Sequence, residues 1–146
     1  MHGKRFFGFE FDKILVDAPC SGTGAIRKSF KTIRIWNPLM ISKLARMQQE
    51  LLENAFNNLK VGGELVYSTC SVEPEEDEGV VDSLLRKHKN AKIVTVTLKG
   101  LKIGTPVQEF KGVSYHADIR HTLRIWPQDN DTEGFYVAKI KKLKLA

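Results

Sequence analysis

An α/β fold with a mostly parallel sheet and an antiparallel closing strand is predicted by three observations. Short apolar, β-branched runs alternate with helical periodicities, glycine and proline mark the junctions, and two strand-like segments close the chain around a turn-rich stretch. The length of 146 residues is that of one domain, and 42% hydrophobic with 27% charged residues excludes disordered and fibrous classes. No internal repeat or low-complexity stretch divides the chain. No apolar run approaches the ~18–20 residues that span a bilayer, and MHGKRFFGFEFDK lacks the apolar centre of a signal peptide, so a cytoplasmic protein with no membrane partner is expected.

Taken in order, Phe11 to Pro19 reads as a first strand, its Ile14-Leu15-Val16 run suited to full burial and its end set by Asp17 and Pro19. A glycine-bearing loop, Ser21 to Trp36, follows. Asn37-Pro38 has the form of a helix cap with proline at the first helical position, opening a helix with apolar residues at Met40, Leu44, Met47, Leu51, Ala55 and Leu59. Val61-Gly62-Gly63 stops it, and Glu64 to Cys70 is a second short buried strand. Pro74 opens a second helix that buries Val80, Val81, Leu84 and Leu85; acids at Glu75, Glu76 and Asp77 complement its dipole, a reading preferred to an acidic site. Strand, helix, strand and helix make a parallel βαβ unit with right-handed crossover. AKIVTVTL, RHTLRIWP and GFYVAKIKKL are strand-like, the last two forming an antiparallel closing pair.

Ligands of an open parallel sheet bind beyond the carboxyl ends of its strands, where the sequence puts Asp17, Pro19 and Cys20 on one strand and Cys70 on the next. A lone cysteine at a strand end is most often a small buried hydrophobe, but two in Ser/Thr/Gly/Pro loops on neighbouring strands point to a shared cleft. Two thiols are too few for a disulfide scaffold and suit a reducing compartment. His2, His88, His116 and His121 form no ligand spacing with them, so no metal is expected. A net charge of +6 biases the chain toward polyanions. Its basic clusters at 86–92 and in the tail read as solvated surface, whereas Arg27, Lys28, Lys31 and Arg34 lie just past the first cysteine loop.

DAPCSGTGAIRK, QxxLLxxA from Gln48 to Ala55, LKVGGELVYSTCSVEPEEDEGVV and RIWPQDNDTEGFYVAKI, in this order, resemble the Nop/Sun family of RNA cytosine-5 methyltransferases over nearly the whole chain. The resemblance implies a Rossmann-like, S-adenosylmethionine-dependent fold acting on a cytosine of structured RNA, tRNA being preferred to rRNA, with the base swung out of its stack. It implies that Cys70 is the nucleophile adding to C6, that Cys20 assists release, and that Asp17 faces the base edge, Asp17 and Pro19 also lying against the cofactor. Arg27, Lys28, Lys31 and Arg34 become RNA contacts, and Phe30 and Trp36 are weighed as stacking platforms against ordinary packing. Only 16 residues precede Asp17, without the family's CAAPGGK-like loop. Residues 1–146 are therefore expected to form the C-terminal part of a catalytic domain, binding S-adenosylmethionine poorly alone and working beside a chain that supplies the N-terminal half. A non-catalytic RNA-binding or assembly module is the alternative; a thiol oxidoreductase is disfavoured by the lack of a CxxC motif.

Overall fold

The computed structural model describes residues 9–145; the amino-terminal leader region and His2 lie outside them. Its elements in order are β1 (Phe11–Asp17), a 3-10 turn (Thr23–Ala25), α1 (Lys31–Ile35), α2 (Pro38–Asn57), β2 (Leu59–Thr69), α3 (Glu78–Lys87), β3 (Ala91–Ile93), β4 (Glu109–Phe110), β5 (Val113–Ser114), a second 3-10 turn (Ala117–His121), β6 (Leu123–Ile125), α4 (Pro127–Asn130) and β7 (Phe135–Lys142). The main sheet runs β1-β2-β7-β3, with β6 beside the other half of β7. β1 and β2 are parallel, while β2, β3 and β6 each pair antiparallel with β7. Hence β1, β2, β3 and β6 all run one way and β7 alone runs against them: a mostly parallel sheet with an antiparallel closing strand, as expected.

The capping expectation holds at α2, where Asn37 Oδ1 accepts from the Met40 amide at 2.9 Å and Pro38 fills the first position. The buried stripe of α2 is not the expected one. Ile41, Ala45, Gln48, Leu52 and Phe56 face the core, one residue on from Met40, Leu44, Met47, Leu51 and Ala55 at each turn. One residue is a rotation of ~100° about the axis, so the helix carries two adjacent apolar stripes. The polar Gln48 belongs to the inner one because its amide has partners there, Pro19 and Glu76. The outer stripe is half covered, and Leu51 and Ala55 line a groove of about 570 Å³ with Ile14 and Leu15 of β1.

Both central strands depart from full burial. Along β2, Leu65, Tyr67 and Thr69 are buried while Glu64, Val66 and Ser68 are half-buried, and β7 alternates in the same way, with Tyr136, Ala138 and Ile140 inward. The inward face packs on Leu52 and Phe56 of α2 and on Val80, Val81, Leu84 and Leu85 of α3, the last four as expected. The other face has no long helix over it among the described residues, which explains the alternation, and Leu15 of β1 is 70% exposed there.

Three boundaries also move. β2 starts at Leu59 rather than Glu64, because Phe11 pairs with Leu59 and the ladder resumes only at Lys13 and Glu64; Gly62, at φ +84°, makes the intervening turn. AKIVTVTL yields only β3, since β6 occupies the first half of the β7 edge and leaves Ile140–Lys142 to pair. α3 starts at Glu78, not Pro74, because Glu76 and Asp77 turn into the core instead of lying on an exposed first turn.

Candidate active site

β1 and β2 are adjacent and in register, Asp17 opposite Ser68, so the residues just past them share one end of the sheet. Ser68 donates to Asp17 Oδ1 at 3.1 Å, orienting a carboxylate that stays exposed. The Ala18 amide continues the ladder to Ser68 O at 2.9 Å, and the chain then turns at Pro19. Cys20 Sγ lies 3.2 Å from Cys70 Sγ, both half-buried. The structure thus brings together the two cysteines that the sequence places on neighbouring strand ends, with Asp17 three residues before Cys20.

The loops approach so closely that one position admits only glycine. A Cβ at Gly24 would fall 2.5 Å from Gly134 O and 2.7 Å from Cys70 O. Without one, the Gly24 amide donates to Cys70 O at 2.9 Å and Gly24 O accepts from the Gly134 amide at 2.9 Å, tying the Cys20 loop to the Cys70 loop and to the start of β7.

Beneath the thiols lies a buried polar network. Glu76 accepts from the Ser21 amide at 2.9 Å, Gln48 Nε2 at 2.9 Å, Ser71 Oγ at 2.7 Å and Ser21 Oγ. Thr69 donates to Asp77, and Arg124 binds Asp77, Glu78 and Val72 O while lying over the rings of Trp126 and Tyr136. Glu76, Asp77, Glu78 and Arg124 are each 0% exposed. The reading of the acidic stretch as a helix-dipole complement is thereby corrected: these acids hold the site loops from below. Their signal in the sequence was indirect, namely acids in series with a later arginine, and composition alone gave no way to pair them.

Burial pushes the Cys20 thiol up to about 12, and its hydrogen bond with Cys70 adds to the rise. Cys20 therefore keeps its proton at neutral pH, 3.2 Å from the Cys70 sulfur. At about pH 8 only roughly one Cys20 in ten thousand would be ionised. Limited treatment with iodoacetamide is expected to modify Cys70 first, Cys20 labelling accelerating only as pH climbs toward 12. Peptide mapping that finds equal labelling at pH 8 would contradict this assignment.

The basic cluster divides. Arg27 pairs with Asp131 at 2.8 Å and Lys28 with Glu133, both pairs at the surface, whereas Lys31 and Arg34 have no ion pair among the described residues. Such exposed pairs are worth little and exchange readily for a phosphate. Trp36 is anchored through Nε1 to Glu73 at 2.9 Å, and Phe30 is 71% exposed, so neither ring is core packing. Asp129 and Asn130 at the end of α4, where the sequence has Gln128-Asp129-Asn130, are held against Lys102. Among the described residues no cluster of His, Cys, Asp and Glu could hold a metal, and no helix is long and apolar enough to cross a membrane.

A mostly parallel α/β sheet with a polar site at its carboxyl end is the arrangement of the Rossmann-like class. The family model described as 16S rRNA methyltransferase RsmB/F matches residues 2–141. Among curated relatives, the tRNA (cytosine(49)-C(5))-methyltransferase of Pyrococcus abyssi is 52% identical over 96% of this chain and 45% of its own length. The ribosomal RNA small subunit methyltransferase F of Shewanella piezotolerans is 40% identical over 95% of this chain and 28% of its own. Among solved structures, a methyltransferase homologue from Pyrococcus horikoshii superposes with TM-score 0.73 at 37% identity, covering 92% of this chain and 40% of that one. NSun6 from the same organism gives TM-score 0.73 at 32% identity, over 94% and 32%. The chain belongs to the RsmB/F (Nop/Sun) methyltransferase family, and it spans less than half the length of these relatives.

Proposed function

We propose that this chain is the cytosine-binding half of an RNA cytosine-5 methyltransferase acting on tRNA through a covalent adduct at Cys70. The observation that carries the reading is the 3.2 Å approach of Cys20 to Cys70 at the ends of adjacent parallel strands. The greater identity to a tRNA enzyme than to the rRNA enzyme, 52% against 40%, favours tRNA. Lys31 and Arg34, without ion pairs among the described residues, are the first phosphate contacts in this reading, with Arg27 and Lys28 able to join by exchanging partners.

Cytosine C5 is too electron-poor to accept a methyl group unaided. The Cys70 sulfur adds to C6 of the extruded base, and the electron pair displaced from the C5–C6 bond makes C5 nucleophilic. Asp17, oriented by Ser68, would face the base edge, where a proton shared between its carboxyl and the ring offsets the negative charge that develops there. When bound, S-adenosylmethionine supplies the electrophilic methyl group. The C5 proton then passes to solvent water, its electron pair re-forms the C5–C6 double bond, and the Cys70–C6 bond breaks with its pair on sulfur, which the adjoining Cys20 thiol can stabilise by a hydrogen bond. Asp17 and Pro19 would hold the methyl side of the cofactor, and the apolar groove beside β1, with Asp17 at its end, fits one wall of a nucleoside site.

That groove has no glycine-rich turn and no second acid, and among the described residues β1 pairs only with β2. The exposed Leu15, the outer stripe of α2 and the uncovered sheet face support a partner segment that adds strands beyond β1 and carries the cofactor loop. Titration calorimetry of the 146-residue chain with S-adenosylmethionine is expected to show no micromolar binding; such binding would overturn the half-site reading. The function itself is tested by tRNA C5 methylation after the chain is combined with such a segment, and absence of 5-methylcytosine would refute it.

A further inference from the structure

We propose that Glu76 is the positioning residue that sets the distance between the two thiols. This rests on the reading of Cys20 and Cys70 as the reacting pair. Each cysteine is held through its neighbours. Before Cys20, Pro19 O accepts from Gln48 Nε2 at 2.9 Å, and the same amide donates to Glu76 at 2.9 Å. After Cys20, the Ser21 amide and hydroxyl both donate to Glu76. After Cys70, Ser71 Oγ donates to Glu76 at 2.7 Å and accepts from the Glu73 amide at 3.0 Å. The backbone of Glu76 is fixed in turn, because Tyr67 of β2 donates to its carbonyl at 2.6 Å.

One buried side chain thus gathers both cysteine loops, and its two oxygens accept from four donors. A proton on the carboxyl would face groups that already donate to it, and a glutamine there would likewise bring an NH₂ against groups that themselves donate. Either change opens the junction between the Cys20 and Cys70 loops. The Gly24 bond to Cys70 O is independent of Glu76, so the loops would loosen rather than part. A shift of about 1 Å in a reacting group is enough to cost on the order of a hundredfold in rate.

The distance can be read without RNA or methyl donor. In a glutathione buffer, oxidised glutathione accepts two electrons and becomes two thiols, while Cys20 and Cys70 lose two electrons and two protons and form a disulfide. The equilibrium constant, measured by acid quenching, alkylation and mass spectrometry, reports how well the sulfurs are held together. Glu76→Gln is expected to lower it about tenfold, and Ser71→Ala and Ser21→Ala about threefold each, in chains that still melt cooperatively. Asp82→Asn serves as control: Asp82 is a buried acid that binds Arg86 and the His116 amide, away from the thiols, so it should lower the melting temperature and leave the constant unchanged. A folded Glu76→Gln chain within twofold of wild type, or an equal fall in Asp82→Asn, would overturn the proposal. If Glu76→Gln fails to fold, Ser71→Ala decides in the same way. A tenfold fall together with no Cys70–cytosine adduct in the combined enzyme would sustain the clamp and refute the methyltransferase reading alone.

Discussion

Arg124→Met is expected to cost the fold about 3–5 kcal/mol, the usual penalty for breaking a buried ion pair from one side. The Arg124 guanidinium donates to Glu78 Oε1 at 2.8 Å, to Asp77 Oδ2 at 3.0 Å and to Val72 O at 3.0 Å, and none of the three charged side chains reaches solvent. Methionine replaces the aliphatic stem but leaves two carboxyl groups and a carbonyl without their donor. Burial already pushes Asp77 well above the usual carboxylate range, and Arg124 is the largest influence pulling it back. The sign follows. A group whose folded pKa is raised favours folding most while protonated and loses that contribution as pH rises through the folded pKa. Without Arg124 the rise is steeper, so the deficit should be smallest in acid and grow toward neutral pH. Urea denaturation across that range measures it. A loss under about 1 kcal/mol, or one independent of pH, would show that the triad is not what holds α3 to β6.

The backbone of this site was legible because its signals are local. Asn37-Pro38 announces a cap, and Asp17-Ala18-Pro19-Cys20 and Ser68-Thr69-Cys70-Ser71 two strand ends, and these stand in the structure, whereas Val61-Gly62-Gly63 does not stop the helix, which ends at Asn57, but falls inside β2. What escaped depended on partners distant in sequence. The α2 face was misjudged by one residue because two stripes are apolar, and the choice between them is made by Glu76 drawing Gln48 inward across 28 positions. The acidic stretch reads in sequence as a helix-dipole complement because Arg124, which neutralises it, lies 47 residues from Asp77. Length of separation is the common cause: periodicity reports what a segment prefers, and burial of a charge is decided by what the rest of the chain brings to it. The strand burial was overestimated for a related reason, since a buried parallel strand needs helices on both faces and these residues furnish long helices for one.

Exchanging the two cysteines one at a time should give opposite chemical outcomes. With the chain combined with a segment carrying the cofactor loop, Cys70→Ala is expected to lower C5 methylation of tRNA by at least about a thousandfold, since the one described thiol that remains, Cys20, is held in its protonated form by burial and an unactivated C5 does not accept methyl. Cys20→Ala should instead permit addition and methyl transfer but slow elimination. Burial keeps the proton on Cys20, whose sulfur lies 3.2 Å from the sulfur that must leave. Methylated tRNA would then accumulate on the protein and survive denaturing electrophoresis as a shifted band, absent in Cys70→Ala and in the double variant. The order of loss matters more than its size. If both single variants simply lose methylation without a band, the thiols do not divide the work between attack and release. If the band appears in Cys70→Ala instead, the roles are reversed, and the high pKa of Cys20 would have to be reconciled with a nucleophile that is almost never ionised at neutral pH.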